Sequence, residues 1–90
     1  MPEFAVVPSK RFEDDFRTLS KDTPRQVLNA IGRIRANPHR GQKLRGVRVG
    51  EWRYHVGEWR YRVGDYRIRY DIRGPHVYLH VVRHRKDLYR

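Results

Sequence analysis

VGEWRYHVGEWRYRVGDYRIR, running from Val49 to Arg69, is three consecutive heptads, and its alternation decides the fold. Between the glycines, Trp52, Tyr54 and Val56 alternate with Arg53 and His55, and Trp59, Tyr61 and Val63 alternate with Arg60 and Arg62. Period-two patterning in aromatic and β-branched residues is the signature of half-buried strands. The links Gly57-Glu58 and Gly64-Asp65 put glycine first, as a type II′ hairpin turn requires. Two-residue turns make Val56 oppose Trp59 and Val63 oppose Tyr66, so the apolar faces stay in phase. The same register sets His55 opposite Arg60, Arg62 opposite Arg67 and Arg60 opposite Arg69. Like charges directly across a ladder each destabilise a sheet by about 0.2–1 kcal/mol. A single arginine there reads as ordinary solvated surface; the whole ladder reads as an anion-binding face.

Upstream, Phe4 to Val7 predicts a short strand stopped by Pro8, with Ser9 capping a helix that places Phe12, Phe16 and Leu19 on one face. Thr23-Pro24-Arg25-Gln26 predicts the start of a second helix with a capping box, and Val27, Leu28, Ile31 and Ile34 form its apolar stripe. Asn37-Pro38 ends it. The acidic run Glu13-Asp14-Asp15 reads as carboxylates near a helix N-terminus, because adjacent helical positions diverge instead of converging on a metal. His39 to Gly50 is a basic loop. Downstream, Tyr66, Ile68, Tyr70 and Ile72 face inward, Gly74-Pro75 turns the chain, and Val77 to Val82 predicts the last strand, followed by a charged tail. The expected fold is α+β: an N-terminal strand, a helical hairpin, then a mainly antiparallel meander of three or four strands with the helices on one face.

Ninety residues suffice for one domain, 1–90, with a single modest core. A net charge of +11 and a pI near 10.9 imply a polyanionic partner. The excess is spread through the chain: nine basic against five acidic residues in 1–44, and twelve against five in 45–90. With no cysteine, neither disulfides nor thiolate metal sites are available. No apolar run approaches membrane-spanning length and the N-terminus lacks a signal-peptide core, so a cytoplasmic protein without membrane association is expected.

The chain resembles the RelE/ParE toxin superfamily along nearly its whole length. The resemblance rests on the helical hairpin closing in Ala36-Asn37-Pro38 and on Lys43-Leu44-Arg45-Gly46 leading into the sheet. It continues through the run from Trp59 to Tyr70 and the terminal His84-Arg85-Lys86-Asp87-Leu88-Tyr89. It implies the toxin of a type II toxin–antitoxin module with a cognate acidic antitoxin as partner. RelE-like members cut mRNA on the ribosome without a cofactor or metal, while ParE-like members poison DNA gyrase. Carried over residue by residue, RelE-type catalytic positions become Arg60, Arg62, Arg67, Arg83 (or Arg85, according to where a gap falls) and Tyr89, with His84 the histidine suited to proton transfer. Lys43, Arg45, Arg53, Arg69, Arg85 and Lys86 are the expected RNA-binding residues. His39, His55, His76 and His80 read as ordinary surface or sheet-face residues.

One departure from the family pattern is the extra heptad, Val49 to His55. Read as a duplication, it adds an edge strand, Trp52 to Val56, which would offer unpaired backbone groups to a second copy of the chain or to an antitoxin strand. Near-identical copies specify register weakly. A looped-out or inactivating insertion is the other reading, and with it a catalytically disabled antitoxin-binding homologue. In the RelE-like chemistry, the 2′-hydroxyl of the substrate attacks the adjacent phosphate. Arginine suits phosphate contact and charge stabilisation far better than proton transfer, so the two proton-transfer roles fall to His84 and Tyr89, or to a perturbed group that the sequence does not identify.

Overall fold

The computed structural model describes residues 3–44 and 57–87. Strand β1 (Ala5–Pro8) leads into helix α1 (Lys10–Arg17) and helix α2 (Thr23–Ala36). A single 3₁₀ turn (Pro38–Arg40) and the two-residue strand β2 (Gln42–Lys43) follow, then β3 (Trp59–Val63), β4 (Tyr66–Arg73) and β5 (His76–His84). The five strands form one sheet in the order β1-β5-β4-β3-β2. All neighbours are antiparallel except β1, which runs parallel to β5. A local sequence pattern cannot show that pairing, since it joins the two ends of the chain. The extra heptad, Val49 to His55, with the expected edge strand Trp52 to Val56, lies outside the described residues, as do Arg45, Arg53 and Tyr89.

The β3–β4 register is the one the heptads predict: Arg60 pairs with Arg69, Arg62 with Arg67 and Val63 with Tyr66. Gly64 takes φ +59° while Asp65 does not enter the left-handed region, as a II′ turn demands. Gly74-Pro75 repeats the device, with Gly74 at φ +56° and the Arg73–His76 pair closing it. Register in this half of the sheet is thus set by local turn chemistry together with the alternation of the strands.

The core lies between the sheet and the helices. Phe12, Val27, Ala30 and Ile34 from the helices meet Val63, Ile68, Tyr70, Val77, Leu79 and Val82 from the strands. Full burial of side chains of this size is worth about 1.5–3 kcal/mol each. Leu28, expected in the α2 stripe, is 58% exposed instead. Ala30 takes the inward place, and Leu28 lines a groove with Val6, Phe12, Phe16 and Ile31 between the helices and β1. Ser9 caps α1 as predicted, its Oγ accepting from Phe12 N–H at 3.0 Å. The capping box at Thr23 is not formed: Asp22 occupies the cap position, without a side-chain bond.

The β4–β5 ladder contains a β-bulge. Arg69 pairs with Val81 and Tyr70 with Leu79, so His80 is the extra residue on β5. The bulge changes the phase of the strand: Val77 and Leu79 face the core before it and Val82 after it. Ser9 satisfies the displaced backbone, its hydroxyl donating to the His80 carbonyl at 3.0 Å. Beyond Pro8 the outer edge of β5 is no longer covered by β1, and α1 supplies a substitute. Asp15 Oδ2 accepts from Val82 N–H and from Arg83 Nε, both at 3.3 Å. The other carboxylates of that acidic run, Glu13 and Asp14, pair with Arg17.

Candidate functional site

The face of the sheet turned away from the helices carries Arg60 and Arg62 on β3, Arg67, Arg69 and Asp71 on β4, and Arg83 on β5. It is a packed surface at its centre, not a solvated one: Arg67 is 7% exposed and Asp71 6%. Burying a charge is costly unless it is paired and hydrogen-bonded, and each has such partners. Arg67 Nη1 donates to the carbonyls of Gly64 at 2.8 Å and Tyr66 at 2.9 Å, so the guanidinium is held by its own hairpin turn. Asp71 Oδ1 accepts from Glu58 N–H at 2.9 Å, and Oδ2 lies 2.9 Å from His80 Nε2. A carboxylate only accepts, so the imidazole carries a proton on Nε2.

Among the described residues, Arg60, Arg62, Arg67, Arg85 and Lys86 line one pocket of about 420 Å³, and the Asp65 carboxylate lies 3.9 Å from Arg85 Nε. Each arrives by a different local cause. Alternation on β3 puts Arg60 and Arg62 on the same side, and the Gly64-Asp65 turn brings Arg67 opposite Arg62. The turn after β5 delivers Arg85 and Lys86, tethered by Arg85 N–H to the Asp65 carbonyl at 2.8 Å and by Lys86 N–H to His84 Nδ1 at 3.2 Å. Planar guanidinium forks gathered in a concave setting suit the bidentate binding of phosphate.

The remaining expected residues are placed differently. Arg83 pairs with Arg67 in the ladder, but its Nε is turned to Asp15. Arg69 lies next along the face and donates through Nη2 to the Gly57 carbonyl at 2.6 Å. Lys43 is exposed on β2, opposite Trp59. His84 pairs with Tyr66 and meets its ring edge to face at 5.4 Å. That sets it on the helix side of the sheet, away from the arginine pocket. Arg45, Arg53 and Tyr89 lie outside the described residues.

Sequence reasoning missed the Asp71–His80 pair, because the bulge that re-aims His80 leaves little trace in a single sequence. The consecutive Val81-Val82, breaking the alternation of Val77 and Leu79, was its one visible sign. It also missed Arg33 and Arg40. Among the described residues no cluster of three His, Asp or Glu side chains could hold a metal ion, and no helix is long and apolar enough to cross a membrane.

The sheet thus carries a helical hairpin on one face and, on the other, an arginine ladder that is buried at Arg67 and exposed at Arg62. The family model described as the ParE toxin of type II toxin–antitoxin systems matches residues 6–89. The chain therefore belongs to that family, within the RelE/ParE superfamily, and is the toxin of a type II toxin–antitoxin system. The RelBE2 toxin–antitoxin complex from Mycobacterium tuberculosis contains a chain with the same fold, at TM-score 0.74 and 24% identity over 93% of each chain. The RelB–RelE complex from Methanococcus jannaschii gives TM-score 0.68 and 22% identity, covering 92% of this chain and 94% of that one. At these identities the likeness establishes the fold. No curated protein matches the sequence.

Proposed function

We propose that the protein is a RelE-like endoribonuclease that cuts mRNA on the ribosome and is held inactive by an acidic antitoxin. The observation that carries this reading is the pocket that gathers Arg60, Arg62, Arg67, Arg85 and Lys86. In this reading the substrate 2′-hydroxyl gives its proton to solvent water as it bonds to the adjacent phosphorus, the P–O5′ bond breaks to leave a 2′,3′-cyclic phosphate, and the charge gathering on the non-bridging oxygens is met by Arg60, Arg62 and Arg67. Groups aimed at developing charge in a shielded site act without reorganising, and losing one such donor typically lowers kcat by about 10²–10³. Arg67 is the most rigid member, since its turn carbonyls fix it before substrate arrives. Tyr89 is assigned the proton for the leaving oxygen; a surrounding arginine cluster would lower a phenol's pKa towards that task. His84 is assigned the positioning of Lys86 through its Nδ1, in keeping with its place on the helix side. The antitoxin is expected to approach faster at low salt, because its attraction to a +11 surface is electrostatic.

The test is primer extension on messages from a translating extract given wild-type protein, Arg62→Ala, Arg67→Ala or Tyr89→Phe. Ribosome-dependent cuts that Arg62→Ala reduces by about 10²–10³ are expected. Messages left intact by the wild type in the presence of ribosomes would refute the nuclease reading. The match to a ParE family model favours one second reading, a gyrase poison without nuclease chemistry. Inhibition of supercoiling by purified gyrase, with messages uncut, would establish it.

A further inference from the structure

A second cationic cavity lies across β3 from the arginine pocket. It has a volume of about 550 Å³ and is lined by Arg33, Arg40, Gln42, Arg60, Tyr61 and Arg62, together with the backbone at Gly41. These side chains come from α2, the 3₁₀ turn, β2 and β3. Arg33 alone has a plain explanation, because a basic residue in the last turn of a helix complements its dipole. That argument does not cover the convergence of Arg40, Arg60 and Arg62 on the same space. The turn carrying Arg40 and Gln42 is fixed from beneath: the buried Tyr70 hydroxyl donates to the Pro38 carbonyl at 2.6 Å. A Cβ on Gly41 would come 2.1 Å from that hydroxyl, so the chain passes as close as its backbone allows.

Among the described residues no carboxylate lines the cavity, and Arg33, Arg40 and Arg62 have no ion-pair partner there. Arg60 and Arg62 belong to both cavities, which makes them the shared wall of one continuous cationic track. Two alternate residues on a strand stand about 6.6–6.8 Å apart, a spacing that suits successive phosphates of an extended nucleic-acid strand. Among the described residues the lining contains no aliphatic side chain. A protein segment relies on buried apolar or aromatic anchors in a desolvated centre, whereas arginines beside one half-buried aromatic ring, Tyr61, are the usual furniture of single-strand binding.

We propose that this cavity is a second phosphate station for single-stranded RNA, so that a bound strand runs over β3 from the Arg67 pocket to Arg33 and Arg40. The choice of RNA rests on the nuclease reading above. The station itself is a binding site, and it is tested by binding. The probe is a short fluorescent single-stranded RNA carrying 2′-O-methyl groups, which cannot be cut, titrated with the full chain at several salt concentrations. For single strands, each phosphate neutralised contributes about 0.7 to the slope of log K against log salt. The Arg33→Gln/Arg40→Gln protein should lose about 1.4 from that slope, two contacts' worth. A Lys10→Gln/Arg11→Gln protein, equal in net charge and altered on the exposed side of α1, should keep it. A dinucleotide, too short to reach both cavities, should not distinguish the variants. Equal slopes for wild type and the Arg33/Arg40 variant would overturn the proposal. So would poly-glutamate displacing the RNA as effectively as unlabelled RNA does at equal charge, which would assign the cavity to an acidic protein. If messages stay uncut while the slope falls as expected, the nuclease reading fails and the station stands. If messages are cut and the slope does not change, the station alone fails.

Discussion

Replacing Asp71 by alanine should destabilise the protein more than any other single change on the arginine face. The carboxylate is 6% exposed and serves two partners, Glu58 N–H and His80 Nε2, each at 2.9 Å. Removing it deprives a part-buried backbone donor of its acceptor, at a cost of about 1–3 kcal/mol. It also removes a hydrogen bond to a charged group, worth about 1.5–3 kcal/mol. Against these stands the relief of no longer burying a carboxylate, which offsets part of the sum. The net expectation is a loss of about 3 kcal/mol, a large fraction of the 5–15 kcal/mol that holds a typical domain together. For a chain of this size each kcal/mol moves Tm by about 4–8 °C, so the melting point should fall by roughly 12–24 °C. Urea denaturation gives the free energy directly. Asp71→Asn is the informative companion, since it keeps an acceptor for Glu58 N–H and loses only the charged contact; it should cost about half as much. A loss below about 0.5 kcal/mol for Asp71→Ala, the range of ordinary surface changes, would refute the idea that this carboxylate ties β3, β4 and β5 together.

Three further outcomes are expected. Burial pushes the Tyr70 phenol up to about 12 from an ordinary 10.0, so the folded state holds that proton more tightly than the unfolded chain. Its contribution is complete below about pH 10 and is lost as pH rises through about 12. Thermal melts should therefore show the gap between wild type and Tyr70→Phe, about 1 kcal/mol at neutral pH, closing across that window; a constant gap would contradict it. Gly57→Ala puts a Cβ 2.5 Å from the Tyr70 carbonyl oxygen at φ +98°, whereas Gly64→Ala at φ +59° meets nothing within 4 Å. Urea midpoints should report about 1–2 kcal/mol for Gly64→Ala, the left-handed strain alone, and about 1–3 kcal/mol more for Gly57→Ala from overpacking; equal losses would be inconsistent with that close approach. Deleting Val49 to His55 should leave a protein that folds, by circular dichroism, and keeps whatever cleavage the intact chain has. A deletion that folds but no longer cuts would instead place the working strand one heptad earlier, at Arg53 and His55.

The parts of the fold that were legible in the sequence are those set by neighbours along the chain. The Arg62–Arg67 and Arg60–Arg69 pairs follow from a glycine-first turn and strict alternation, and Ser9 announces its cap. Legibility ends where distant segments meet. That β1 joins the sheet in parallel depends on the far end of the chain. The second use of Ser9, as donor to the His80 carbonyl, depends on a bulge 71 residues away. The same bulge hid the Asp71–His80 pair. His84 carries the right chemistry for proton transfer, but the phase of β5 beyond the bulge sets it beside Tyr66 on the helix side. Of the arginines, pattern identified the face; only the three-dimensional turn positions of Arg85, Lys86 and Arg40 divide it into two cavities.

The chain on either side of residues 45–56 is fastened at its feet. Leu44 N–H donates to the Glu58 carbonyl at 2.7 Å, Arg69 grips the Gly57 carbonyl and Asp71 holds Glu58 N–H. Whatever form residues 45–56 take, the two ends between which they run are held together. Closure entropy rises only logarithmically, by about 0.6 kcal/mol per doubling. By closure entropy alone, seven residues added between Leu44 and Gly57 should cost about as little as one average hydrogen bond, and the bonds that fasten Gly57 and Glu58 to β4 lie outside the added stretch. The clamp makes this position the place to insert a reporter peptide in the laboratory, with the sheet that carries the arginines held by bonds on either side of it.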